Sequence, residues 1–275
     1  MKIIENVIEI GLSKPFEVLH ASDTHLALAD DRDDQRKLDL AKQRSQYFPN
    51  ALDDLTVMSE QAKKYGCPII YTGDLIDFVS EKNLEVAKDF ADKNDLFIAA
   101  GNHEFSLYVG EVPLEDEAYR NISLKKVQAC FKNDIRFAVR EIGGVNFVAI
   151  DNSYYQFDKE QLDGLKEVVK QGKPIVLVMH NPIFTEGFAK EIMQTEVCSY
   201  LTGAPKELTD TYPEYRKRAQ ESRDITLKTC EYIKNQPLIK YILCGHVHRN
   251  YVDKATDTLT QVTTHISNLR VIKFI

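Results

Sequence analysis

Six short runs dense in branched and aromatic apolar residues punctuate the chain: Phe16-Glu-Val-Leu-His-Ala-Ser22, Cys67-Pro-Ile-Ile-Tyr-Thr72, Asp95-Leu-Phe-Ile-Ala-Ala100, Val145-Asn-Phe-Val-Ala-Ile150, Pro174-Ile-Val-Leu-Val-Met179 and Ile239-Lys-Tyr-Ile-Leu-Cys244. Runs of this length and composition predict buried strands. The stretch Met1 to Ile10 alternates apolar and polar residues, which predicts a further strand. Each of the six runs stops at a polar cluster: Asp23-Thr-His25, Gly73-Asp-Leu-Ile-Asp77, Gly101-Asn-His-Glu104, Asp151-Asn-Ser153, His180-Asn181 and Gly245-His-Val-His248. Between the runs, the patterning predicts helices over about 33–65, 81–93, 121–132, 158–171 and 214–234. Asp158-Lys-Glu-Gln161 has the form of a capping box.

Strand, polar loop, helix, strand is the order of an α/β layered fold, whose ligands gather beyond the carboxyl ends of the strands. All six polar clusters then fall on one rim. No linker or low-complexity tract divides the chain, so 1–275 is expected to be a single domain. The stretch at about 184–235 is longer than an ordinary connection and carries helical pattern, which predicts a partly helical insertion.

Composition narrows the partners. A net charge of −7 and the lack of a basic stripe disfavour nucleic acid. No segment approaches the roughly 18–20 consecutive apolar residues of a membrane span, and no signal-peptide-like run is present, so no membrane partner and a cytoplasmic location are expected. The cysteines at 67, 130, 198, 230 and 244 are odd in number and never form a CxxC pair, which predicts reduced, buried thiols.

The chemistry lies on the rim. Five of the seven histidines, His25, His103, His180, His246 and His248, fall in the strand-end clusters, joined by Asp23, Asp74 and Asn102. Imidazole nitrogens with carboxylate and amide oxygens form a ligand set suited to Mn, Fe or Zn, without the thiolates of a structural zinc site. Any one of these histidines alone reads as an ordinary hydrogen-bonded residue; five at strand ends read as a metal centre. Gly73, Gly101 and Gly245 are expected to turn the backbone sharply from strand to loop.

Asp23-x-His25, Gly73-Asp74-x-x-Asp77, Gly101-Asn102-His103-Glu104, His180 and Gly245-His246-x-His248, in this order, resemble the calcineurin-like metallophosphoesterase family. The resemblance implies a four-layer α/β/β/α sandwich with a two-metal site. It implies that Asp23, His25 and His248 hold one metal, that Asn102, His180 and His246 hold the other, and that Asp74 bridges them. Gly245 would then permit the turn that points His246 and His248 at different metals. The resemblance further implies that His103 stabilises the phosphoryl group or protonates the leaving group, and that Asp77 orients His103. Two neighbouring cations can share a water, lower its pKa and clamp phosphoryl oxygens during in-line displacement. The expected activity is therefore hydrolysis of a phosphomonoester or phosphodiester by attack of a metal-bridging hydroxide, on a small phosphate ester.

Differences from subfamilies refine this. Phosphoprotein phosphatases follow the second aspartate with Arg-Gly, where this chain has Phe78-Val79. Purple acid phosphatases place a tyrosine where Asp77 stands. The cyclic-nucleotide phosphodiesterase branch is similar at Ser22-Asp-Thr-His25, although its common His-His-Pro-Pro is His180-Asn-Pro-Ile183 here. Two other readings are a metallonuclease of the same superfamily, disfavoured by the acidic balance, and a non-catalytic protein-binding scaffold, disfavoured by the complete ligand set. His20 and His265 are expected to be structural or solvated, Cys244 to pack inward, and Asp30 to Asp34 to form a solvated loop opening a helix. Tyr154 and Tyr155 are expected either to line the pocket or to pack at the surface. Pocket shape is expected to come from about 105–120 and 184–215.

Overall fold

The computed structural model describes residues 1–111, 114 and 116–275. Of the stretch 105–120 expected to shape the pocket, 112, 113 and 115 lie outside the described residues. Eleven strands form two sheets among the described residues. In the first, β1 (Lys2–Ile8), β11 (Asn268–Phe274), β2 (Phe16–Ala21), β3 (Ile69–Tyr71) and β4 (Leu96–Ile98) lie side by side in that order. In the second the order is β5 (Phe137–Ile142), β6 (Val145–Ile150), β7 (Ile175–Val178), β8 (Ile239–Cys244), β10 (Thr260–Thr263) and β9 (Tyr251–Lys254).

The six predicted runs are β2, β3, β4, β6, β7 and β8. Within each sheet these strands pair in parallel, β2 with β3 and β3 with β4, β6 with β7 and β7 with β8. Their carboxyl ends therefore share an edge. Side chains of a strand alternate between faces, and the split is visible along β6 and β7. Val145, Phe147, Ala149, Val176 and Val178 enter the core between the sheets, with Val18, Ile70, Phe97, Leu243 and Phe274. Val148, Ile150, Ile175 and Leu177 face the opposite way, packing with Leu165 and Val168 of α5 (Lys159–Val169) and Cys230 and Ile233 of α9 (Asp224–Asn235). The first sheet is covered likewise by α2 (Ala51–Tyr65), α3 (Glu81–Lys93) and α4 (Glu117–Gln128), through Leu55, Met58, Phe90 and Val127. The result is the four-layer α/β/β/α sandwich.

Several elements differ from the sequence reading. The helix expected over 33–65 is two helices, α1 (Gln35–Arg44) and α2, separated around Pro49. Proline lacks an N–H and bars the preceding residue from helical backbone. Phe48 lies in this break, its ring stacked on that of His25 at 4.3 Å and 15°. The helix expected over 214–234 is α8 (Glu214–Gln220) and α9. Gln156 separates them, accepting from Arg223 N–H at 3.1 Å and donating to the Glu221 carbonyl at 3.0 Å. Before them come α6 (Glu186–Ile192) and the short α7 (Lys206–Thr209). Helix α6 has its own small core, in which Phe188 stacks on Tyr251 of β9 at 4.3 Å.

The capping box at Asp158 is present, with Asp158 accepting from Gln161 N–H and the Gln161 side chain accepting from Asp158 N–H. Asp34 caps α1 by accepting from Lys37 N–H at 2.9 Å. Of the cysteines, 130, 198, 230 and 244 are buried, whereas Cys67 is only half-buried. Among the described residues no helix is long and apolar enough to cross a membrane.

Candidate metal centre

Five of the six polar clusters meet at the shared edge. The loops after β2 and β3 are zipped together by backbone, with Asp23 N–H donating to the Gly73 carbonyl and His25 N–H to the Asp74 carbonyl, both at 3.0 Å. The loop after β8 joins them because His246 N–H donates to both Asp23 carboxylate oxygens, at 3.0 and 3.1 Å. The loop after β4 is held by Glu104, whose carboxylate accepts from the N–H groups of Gly101 at 2.6 Å, Asp74 at 2.7 Å, Leu75 at 2.7 Å and Ile76 at 3.3 Å. Burial and the nearby Asp74 push Glu104 up to about 7. The four N–H donors aimed at its two oxygens act against that rise, since hydrogen bonds to a carboxylate favour its ionised form.

The sixth cluster, Asp151-Asn-Ser153, stays outside. Asn152 instead fixes the loop after β7, accepting from His180 N–H at 3.2 Å and Asn181 N–H at 3.0 Å. Asp151 pairs with Arg120 and Arg136 at 3.3 and 3.2 Å.

The side chains form two groups. Asp23, His25 and His248 bring their donor atoms within 4.8 Å of one another, as do Asp74, His180 and His246. His25 Nε2 is 3.0 Å from His248 Nε2, and His180 Nε2 is 3.1 Å from His246 Nδ1. The two histidines of the last cluster thus diverge, one into each group. Asp74 stands between, its Oδ2 3.1 Å from His180 Nε2 and 3.7 Å from His25 Nε2. A third grouping of His25, Asp74 and His103 falls within the same limit. Asn102 lines the cavity over these groups, and its Oδ1 is buried without a hydrogen-bond partner.

Three of the imidazoles are held through Nδ1. His25 Nδ1 donates to Asp77 Oδ1 at 3.0 Å, His180 Nδ1 to the Thr72 carbonyl at 2.7 Å, and His103 Nδ1 to the Asp77 carbonyl at 2.6 Å. Such contacts are how metal-binding histidines are oriented. Burial lowers the affinity of His25 and His246 for protons, keeping their lone pairs available. Burial would lower His180 too, but Asp74 outweighs it and raises this imidazole to about 9. The carboxylate field therefore favours a positive charge beside His180, which a proton or a metal could supply. Burial opposes ionisation of Asp23, yet hydrogen bonding and charge from His248 bring its carboxyl down to about 2. At His103, burial is outweighed by Asp74 and Asp77, which push it up to about 10.

Backbone strain marks the same place. Among the described residues the non-glycine positions with positive φ are Asp23 (58°), His25 (51°), Asp74 (57°), Tyr155 (61°), Tyr200 (55°), His246 (68°) and His248 (49°). All belong to the two groups or line the cavity beside them. Such conformations cost about 1–3 kcal/mol each and persist where the surroundings impose them. The expected turning role of Gly245 is corrected here: His246 and His248 themselves adopt the left-handed backbone. Gly245 is needed for space, since a Cβ there would collide with Ser22 Oγ and Asp23 Oδ2. Gly101 is similar, its Cβ position overlapping the Asp74 carboxylate, whereas Gly73 combines φ of 90° with close approach to Gly101.

The cavity holds about 410 Å³, within the ordinary range for small-molecule sites. Arg44, Tyr155, Tyr200, Arg216 and Arg249 line it in addition to the strand-end residues. Arg44 was not anticipated from the sequence; it clasps Asp77 through two hydrogen bonds of 2.7 and 2.9 Å. Tyr154 and Tyr155 are both buried, against the alternative of surface packing, and Tyr155 lines the cavity. His20 is buried, 3.1 Å from Thr72 Oγ1. Cys244 packs inward against the second sheet's helices.

A family model described as calcineurin-like phosphoesterase matches residues 16–250. No curated protein matches the chain. Among solved structures it is similar to a dimetal phosphatase from Danio rerio, at 13% identity and a TM-score of 0.49, over 91% of this chain and 88% of that one. It is also similar to a phosphopantetheinyl hydrolase from Mycobacterium tuberculosis, at 10% identity and a TM-score of 0.48, over 91% and 89%. A 5'-nucleotidase from Candida albicans aligns at 12% identity and a TM-score of 0.43 over 92% of this chain, which spans only 45% of the nucleotidase. The match to the family model runs through every strand-end cluster from Asp23 to His248, and with the paired His/Asp groups it identifies the chain as a member of the calcineurin-like phosphoesterase family, a metal-dependent phosphoester hydrolase with a dinuclear metal site.

Proposed function

We propose that the protein hydrolyses a small phosphomonoester or phosphodiester, with cyclic nucleotides among the candidate substrates, and that Mn, Fe or Zn fills both metal positions. In this reading Asp23, His25 and His248 hold one ion, Asn102, His180 and His246 the other, and Asp74 both. The observation that carries it is the placement of Asp74 Oδ2 within 3.1 Å of His180 Nε2 and 3.7 Å of His25 Nε2, one ligand atom from each group. The unpartnered Asn102 Oδ1 fits the same assignment. Two bound cations would supply Lewis acidity, polarising phosphoryl oxygens and lowering the pKa of water.

The chain's own residues do the rest. His103 has its Nδ1 committed to Asp77, and its side chain is 18% exposed at the cavity. That leaves Nε2 to face a substrate, where it can stabilise the phosphoryl oxygens or give a proton to the leaving alkoxide. Asp77 orients His103 and His25 together, and the Arg44 guanidinium holds Asp77 ionised. The reading also takes 1–275 as one domain, with the stretch about 184–235 inserted between β7 and β8 and supplying Ile192, Tyr200 and Arg216 to the cavity wall. The test is a metal-supplemented screen of aryl monoesters, aryl diesters, cyclic nucleotides and nucleic acids. Turnover of small esters is expected; turnover confined to nucleic acid, or none with any metal, would contradict the reading.

A further inference from the structure

Tyr155 is 2% exposed and holds its backbone at φ 61°. Its Oη lies 2.7 Å from His246 Nε2, with the two rings edge to face at 5.4 Å. The other nitrogen of that imidazole, Nδ1, lies 3.1 Å from His180 Nε2. A neutral imidazole protonates one nitrogen and accepts at the other. In the neutral form that a metal ligand must take, His180 donates from Nδ1 to the Thr72 carbonyl, so its Nε2 carries a lone pair. His246 then has two choices. Either Nδ1–H donates to His180 and the Tyr155 hydroxyl donates to Nε2, or Nε2–H donates to Tyr155 Oη and Nδ1 presents a lone pair beside that of His180. The second alone offers the convergent lone pairs that a cation requires.

We propose that Tyr155 is a positioning residue whose hydroxyl accepts the Nε2 proton of His246 and so selects the metal-binding tautomer at one of the two metal positions. The inference rests on the two-metal reading above. The partners of the two groups are unlike. His25 is oriented by the Asp77 carboxylate, whereas the oriented nitrogen of His246 meets a phenol. Loss of the hydroxyl should therefore weaken one metal position selectively. Phenylalanine at 155 keeps the ring and its packing, which separates the hydroxyl from the rest of the side chain.

The test is calorimetric titration of the metal-free full chain with Zn²⁺, wild type against Tyr155→Phe. Wild type should bind two equivalents; Tyr155→Phe should keep one at unchanged affinity and bind the other about 10–100-fold more weakly, the usual effect of losing such a partner. A second measurement does not depend on the variant. In ¹⁵N-histidine-labelled, Zn²⁺-loaded wild type, the His246 imidazole, assigned by its loss in His246→Gln, should be protonated at Nε2. Two equivalents of unchanged affinity in Tyr155→Phe, or protonation of His246 at Nδ1, would overturn the inference and leave the two-metal reading standing. A wild type that binds no Zn²⁺ would overturn both.

Discussion

Arg44, His25 and His103 all converge on the side chain of Asp77, at 2.7, 3.0 and 3.2 Å. Burial would raise the Asp77 carboxyl, but these three donors hold it far below the ordinary carboxylate range. A single anion thus fixes a candidate metal ligand and the candidate acid at once. If His103 works on the substrate and not on the metals, His103→Ala should keep its metal while kcat falls by about 10²–10⁴. Elemental analysis beside a rate assay decides this, and loss of metal in that variant would make His103 a ligand, as its grouping with His25 and Asp74 permits. The strand-end residues were legible in the sequence because each follows an apolar run and is flanked by glycine, aspartate or asparagine. Arg44 was not, since it is simply the last residue of α1, 33 residues from the aspartate it clasps, and nothing local marks it. Tyr200 was hidden for the same reason: its strained backbone and its 5.9 Å approach to His246 exist only after the insertion has folded over the site.

The elements divide by how local their causes are. The parallel strands and α3 were readable because apolar runs and helical periodicity are written in consecutive residues. The break around Pro49 was equally written and simply outvoted by the flanking periodicity. Strand β5 carried a signal too, with Gly143-Gly144, at φ 58° and 86°, joining it to β6 as a two-residue hairpin. Strands β9 and β10 are short and largely polar, and β11 pairs in parallel with β1 from the far end of the chain, so their pairing lies beyond local pattern. The capping box of α5 allows a test at this scale. Asp158→Ala should cost about 1 kcal/mol, lowering Tm by about 2–4 °C for a chain of this size. Because α5 packs on the second sheet away from the cavity, turnover at moderate temperature should persist; an inactive but folded variant would contradict this separation of scaffold and site.

At the scale of the molecule, the two sheets bring their carboxyl edges together, so that residues from Asp23 to His248 share one cluster. Buried carboxylates and close-set imidazoles there would be stabilised by cations that the unfolded chain would hold poorly. Ligand binding to the folded state alone adds about 2.7 kcal/mol at 100 times Kd. Chelation should therefore lower Tm by at least about 5 °C, given about 2–4 °C per kcal/mol, with recovery on adding Mn²⁺ or Zn²⁺. A Tm indifferent to chelator would mean that no metal occupies the folded protein. The claim on which the rest depends is that Asp74 joins two metal positions. Anomalous diffraction from crystals of the Mn²⁺-loaded protein addresses it most directly. The account predicts two separate peaks, one among Asp23, His25 and His248 and one among Asn102, His180 and His246, with Asp74 touching both; a single peak, or two that leave Asp74 without contact, would contradict it.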